Sequence, residues 1–170
     1  RSETYRRLEV SNWRERYLAV LTPAAGCIWS GKAVLGNSKS KGGLLILQDT
    51  ASAFVISHEL GHTLGLGHSN LLTCNSGFAD GPWSNSCRAV EYGGTIDIMG
   101  NVETTSPLST YHQWRMGILQ DSEIYQSWIN ETIELSASDV GGNTRAIFVR
   151  DGMATYWIEY RIARNGAPYN

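Results

Sequence analysis

The sequence has no apolar run approaching the ~20 residues that a membrane-crossing helix needs, so no helical anchor is expected within its 170 residues. It has little net charge. Fourteen Lys and Arg stand against sixteen Asp and Glu, leaving −2, and no global basic field argues for nucleic acid or an anionic membrane. The local cluster Arg6, Arg7, Arg14 and Arg16 reads as a solvated surface. Internal repeats and low-complexity tracts are absent. No secretory signal is present, but residue 1 is Arg rather than Met, which leaves a removed signal or pro-segment open. Cysteine is scarce, at three. Cys74 and Cys87 bracket the polar, Gly- and Pro-containing stretch NSGFADGPWSNS, where a disulfide would order a loop with few apolar anchors. The alternative is three free thiols in a reducing compartment. Cys27 is expected to be unpaired, or paired outside this chain.

What is abundant is glycine, at 18 residues, pointing to a loop-rich fold with tight turns. At 42% hydrophobic the chain can build a core, and its length fits one domain, or one with a small appendage. YLAVLT (17–22) and LLILQ (44–48) read as buried strands, and GCIWSGKAVLG (26–36) as an extended segment. A helix follows, capped by Asp49 or Thr50. Its apolar stripe is Ala51, Phe54, Val55, Ile56, Leu60 and Leu64, and Gly65 and Gly67 end it. Residues 69–97 read mostly as loop. A second helix is predicted over 107–119, with Pro107 near its start and Trp114, Met116 and Leu119 in the core. From Glu131 the pattern is stranded: TIELSA, TRAIFVR and ATYWIEYRI. The predicted organisation is a main domain over 1–130 and a β-rich unit over 131–170.

Histidine is also scarce, and three of only four fall in HELGHTLGLGHS, residues 58–69. On a helix, His58 and His62 are four apart and share a face. That spacing lets two imidazoles reach one Zn²⁺. Gly65 lets the chain turn sharply away, so that His68 can bring a third nitrogen from another direction. The fourth position is left to water, whose pKa such a metal lowers towards ~7. Glu59, beside His58, flanks the metal without binding it and can act as general base. H-E-x-x-H alone occurs by chance; the extended H-E-x-x-H-x-x-G-x-x-H is specific, and a downstream Met-turn accompanies it in metzincins. Met99, in YGGTIDIMGN (92–101), lies thirty-one residues after His68 in a Gly-bounded turn and is the Met-turn candidate.

On these motifs the chain resembles the metzincin metallopeptidases. Its zinc stretch, with Ser69 after the third His, is similar to that of matrixins. The order C…C…EYGGTIDIMGN, YHQWRMGIL and TYWIEYR is more similar to gametolysin-type peptidases and their bacterial relatives, over roughly residues 57–161. The resemblance implies an α+β fold: a twisted mixed sheet, an active-site helix and a C-terminal helix, with a β-rich extension. It implies a secreted, monomeric zinc endopeptidase acting on polypeptides, with His58, His62 and His68 as ligands, Glu59 as general base and acid, and Met99 as the turn methionine. Substrate would pair with an edge strand, for which SGKAVLG (30–36) is the candidate. The alternatives are an inactive zinc-binding module and a zinc amidase acting on small molecules. Only 57 residues precede the motif, fewer than metzincins carry, which implies a shortened N-terminal part. Asn101 stands where some metzincins have a tyrosine, so Tyr92, Tyr111 and His112 are candidates for steadying the oxyanion. No second histidine cluster exists for a structural zinc. Asp80, Glu91 and Asp97 could bind calcium, but their spacing matches no known loop. Asp97 is a candidate brace for the Met-turn or for a zinc histidine.

Overall fold

The computed structural model describes residues 15–24, 26, 28–37, 41–75, 84–101, 107–127, 130–151 and 154–162. Cys27, Asp80 and three of the four clustered arginines lie outside them. The chain forms two compact units, residues 1–67 and 68–170, with a mixed α+β content of few helices and several small sheets.

The first unit holds a three-stranded sheet in the order β1 (Tyr17–Thr22), β3 (Gly43–Gln48), β2 (Gly31–Ala33). β1 runs parallel to β3 and β2 antiparallel to it. Leu45 and Leu47 of the central strand are buried. β1 is not the buried strand its apolar run predicts: it alternates, with Leu21 66% exposed. An unbroken apolar run marks a strand; whether both faces are covered depends on its neighbours, and among the described residues β1 is paired on one side only.

Helix α1 (Ala53–Thr63) packs on β2 and β3. Its cap is Ser52, whose hydroxyl accepts from the Val55 N–H, rather than Asp49 or Thr50. Those two sit in the turn leaving β3, where Asp49 N–H donates to Thr22 and Ala51 N–H to Gln48. The predicted apolar stripe is not what the helix buries. Ile56 and Leu60 are exposed, while His58, Glu59, Gly61 and Thr63 are buried. The polar face turns inward because small residues allow close approach there: a methyl built on Gly43 would stand 2.6 Å from Thr63 Cβ.

The second unit opens with β4 (Leu71–Thr73) paired antiparallel to β5 (Arg88–Val90), a short ribbon within the stretch expected to be loop. The Cys74–Cys87 disulfide closes it, as the sequence predicts. On the chain-entropy account such a loop closure stabilises by roughly 3 kcal/mol. Helix α2 (Thr110–Arg115) is shorter than expected. Ser109 caps it, and Gly117, at φ +74°, turns the chain out of it. Of the predicted core residues Leu119 is buried, but Trp114 is 38% exposed; the helix buries Thr110, His112 and Gln113 instead. The last sheet has the order β6 (Ile124–Ser127), β7 (Ala146–Asp151), β8 (Ala154–Ile158), with β6 parallel and β8 antiparallel to β7. β7 and β8 match the predicted strands. β6, four residues without a repeating pattern, carries no sequence signal, and among the described residues TIELSA contributes the bridge of Ala137 to Tyr160 but no strand. Side chains beyond β8 tie this sheet to the rest of the unit. Glu159 accepts from the Thr110 N–H at 2.6 Å, and Arg161 donates to the carbonyls of Ile96 and Pro107.

Candidate metal centre

α1 ends in a Schellman arrangement. Gly65 N–H donates to His62 O and Leu66 N–H to Gly61 O, and Gly65 itself is left-handed at φ +92°. Leu66, buried, anchors the exit. Gly67 shares none of this: it has no left-handed backbone and open space where a methyl would stand. Gly65 alone therefore stops the helix, and the chain reaches His68 three residues later.

Within this continuous stretch, His58, His62 and His68 each place a ligand atom within 4.8 Å of the other two. Among the described residues this is the one group of three or more His, Cys, Asp or Glu able to hold a metal ion. Nitrogens around a tetrahedral ion with bonds of ~2.1 Å stand roughly 3.4 Å apart, within small ring rotations of that spacing. The rings are also oriented as ligands. His62 Nδ1 lies 2.8 Å from Leu66 O, to which it donates, and this fixes the plane in which the ring presents Nε2. His68 Nδ1 donates to a Glu91 carboxylate oxygen at 2.7 Å, which orients this ring in turn. Ligand histidines typically donate their second nitrogen to a carbonyl or carboxylate in this way. A donor set of three imidazoles suits Zn, Cu, Ni or Fe rather than Mg or Ca.

Glu59 follows His58 on α1 and is 7% exposed. Burial pushes its carboxyl above the ordinary carboxylate range. It lies against β2: a methyl on Gly31 would be 2.7 Å from Glu59 Cγ and 2.8 Å from Val55 Cγ1. A larger residue than glycine at position 31 would push on the carboxylate.

Met99 is wholly buried, in a turn closed by Gly100 N–H to Asp97 O. Its carbonyl accepts from the N–H of Ser69, the residue after His68, at 2.8 Å. Asp97 braces this turn, and it holds the fourth histidine rather than one of the three clustered ones. One carboxylate oxygen accepts from Met99 N–H, the other from Ser109 N–H and from His112 Nδ1 at 2.7 Å. Burial opposes ionisation of Asp97, but the His112 hydrogen bond and charge, with the Ser109 and Met99 bonds, outweigh it and hold the carboxyl at about 2. A carboxyl depressed from 3.8 to about 2 contributes stability above its unfolded value, lost as pH falls through the folded one; the shift corresponds to about 2 kcal/mol. Urea midpoints of the parent and of Asp97→Asn should therefore differ most above pH 4 and converge towards pH 2. Parallel midpoint curves over that range would contradict this role for Asp97.

The three candidates for steadying an oxyanion are now separated. His112 is buried against Asp97. Tyr111 packs with Trp114 and Trp157, ring centroids 5.6 Å from the latter, beside a groove of about 790 Å³ that Phe148 and Arg150 also line. Tyr92 is stacked on His68, with centroids 3.7 Å apart. Of the calcium candidates, Glu91 is engaged with His68 and Asp97 with the Met99 turn and His112. The sequence named Glu91 and Tyr92 without their shared target, because no local spacing links residues 91 and 92 to residue 68. Compared with known proteins, the chain matches no family model, no curated protein and no solved structure.

Proposed function

We propose that the protein is a zinc-dependent endopeptidase of metzincin type, with His58, His62 and His68 as zinc ligands, Glu59 as general base and Met99 as the turn methionine. What supports this most is one combination on one helix exit: three imidazoles gathered, two of them held at Nδ1 by Leu66 O and by Glu91, next in sequence to a buried carboxylate. A pure metal-holding scaffold has no use for a buried glutamate next to a ligand histidine, whereas a metal-activated water needs a general base there.

A zinc ion held there supplies Lewis acidity to the scissile carbonyl and to the attacking water. Glu59 accepts a proton from that water as its oxygen adds to the carbonyl carbon, and returns it to the leaving amine as the C–N bond breaks. His62 and His68 keep their ring orientations through Leu66 O and Glu91. β2 is an edge strand, paired only with β3 among the described residues, and offers its free side to an extended peptide. The disulfide supports an extracellular setting, and no described helix is long and apolar enough to cross a membrane. A monomer acting on polypeptides completes the proposal.

The test is zinc stoichiometry of the purified protein with hydrolysis of a mixed peptide library, before and after chelation. One zinc per chain, cleavage lost on chelation and restored by zinc, is expected. Bound zinc without cleavage by the folded protein would favour the non-catalytic binding module, and cleavage of small amides alone would favour the amidase.

A further inference from the structure

The segment after β5 places two consecutive side chains on one histidine. Glu91 approaches His68 Nδ1 at 2.7 Å, and the Tyr92 ring lies over the same imidazole at 3.7 Å between centroids, tilted by 36°. The two contacts fix different freedoms. The carboxylate fixes which nitrogen carries the hydrogen and the direction of the Nδ1–H bond. The phenol ring limits rotation of the imidazole out of its plane.

The backbone between them is held in an unfavourable conformation. Tyr92 has φ +60°, and it is the one non-glycine residue with positive φ among the described residues. An aromatic residue rarely occupies this region, because its Cβ crowds the adjacent carbonyl. The surroundings enforce it. Tyr92 N–H donates to Asn70 Oδ1, Tyr92 O accepts from Asn101 N–H, and Gly93 N–H donates to Val90 O. Gly93 and Gly94 then run so close to Leu71 and Ser69 that a methyl on either would stand 2.5 or 2.3 Å from a side-chain atom of its neighbour. Glycine would satisfy the turn at position 92 without strain. A tyrosine there is costly to the turn alone, and strain of this kind concentrates at functional sites.

We infer that Glu91 and Tyr92 form a clamp that orients His68 for metal binding, making them positioning residues of the centre. The inference rests on the three-histidine zinc reading and deepens it. His58 and His62 are fixed in spacing by their helix, but His68 comes from a chain exit and has no such constraint. The clamp supplies it.

The test measures zinc affinity by competition with a chromophoric chelator, the visible spectrum of the cobalt-substituted protein, and the melting temperature of the metal-free protein. Glu91→Ala is expected to weaken zinc binding by about 10- to 100-fold, the usual cost of losing such a partner, and Glu91→Gln, which keeps an acceptor oxygen, to restore most of it. Tyr92→Gly relieves the strained backbone, so its metal-free melting temperature should stay within about 2 °C of the parent or rise. Its zinc affinity should nevertheless fall and its cobalt bands shift, while Tyr92→Phe should behave as the parent. Parent-like affinity in both Glu91→Ala and Tyr92→Gly would overturn the clamp, as would losses of affinity that merely track a loss of metal-free stability. A parent protein that binds no zinc would overturn the metal-centre reading itself.

Discussion

Replacing Glu59 with alanine is expected to lower kcat/KM for peptide hydrolysis by about 10²- to 10⁴-fold, the range for losing a positioned general base, with one zinc still bound per chain. The two outcomes separate because Glu59 lies next to His58 in the chain but is not part of the three-histidine donor set. Stability should not fall with activity. The Glu59 carboxyl is buried, and burial raises its pKa; its ionised form is therefore disfavoured in the fold, and removing it relieves that cost. The expected signature is an inactive protein that still loads one zinc per chain and whose metal-free form melts at or above the metal-free parent. It is read by steady-state hydrolysis, metal analysis and thermal unfolding on the same preparation. A variant retaining a tenth or more of parental activity would remove Glu59 from the mechanism.

The second large effect is expected on stability. In Gly100→Ala the added methyl would lie 1.9 Å from the carbonyl oxygen of Gly94 and 3.2 Å from that of Asp97. Both are backbone atoms and cannot swing aside as a side-chain end would. To accept the methyl, the turn must open, and several bonds depend on it: Gly100 N–H to Asp97 O, Asn101 N–H to Tyr92 O, and Ser69 N–H to Met99 O. The buried Met99 and the Asp97–His112 pair lie in the same turn. We expect a loss of about 3 kcal/mol or more, at the upper end for overpacking, seen as a melting temperature lower by roughly 10 °C. Gly67→Ala is the control, since its methyl meets open space. Equal melting temperatures for Gly100→Ala and the parent would mean that the Gly94–Gly100 approach is not needed by the fold.

These two residues differ in how far the sequence could reveal them. Glu59 is legible because helix geometry is local: residues 58, 59 and 62 have fixed angular relations whatever packs around them. The same holds for Gly65, whose place after a periodic segment signals a helix stop, and for β3, β7 and β8, whose apolar runs and turn residues mark strands. The Cys74–Cys87 pairing was legible because both cysteines flank one short loop. Gly100 could be read only as part of a glycine-bounded turn. That it approaches Gly94 is a fact of tertiary packing.

The helix stripe shows the limit most clearly. Apolar residues at helical spacing predict Ile56 and Leu60 facing inward, yet the buried positions are His58, Glu59 and Thr63. Periodicity reports which residues share a face. Which face is covered was decided by Gly31 and Gly43, which let β2 and β3 come close on the polar side. Asp97 and His112, fifteen residues apart, and Glu91 and His68, twenty-three apart, met for the same kind of reason. By itself, the sequence determined the three imidazoles, their neighbouring carboxylate and the turn that frees the third, because these depend on spacings within a few residues. Only the tertiary structure decided what orients His68, what holds the Met99 turn and how deeply Glu59 is buried, because each depends on segments distant in the chain that are brought together by packing and backbone hydrogen bonds rather than by any repeating pattern.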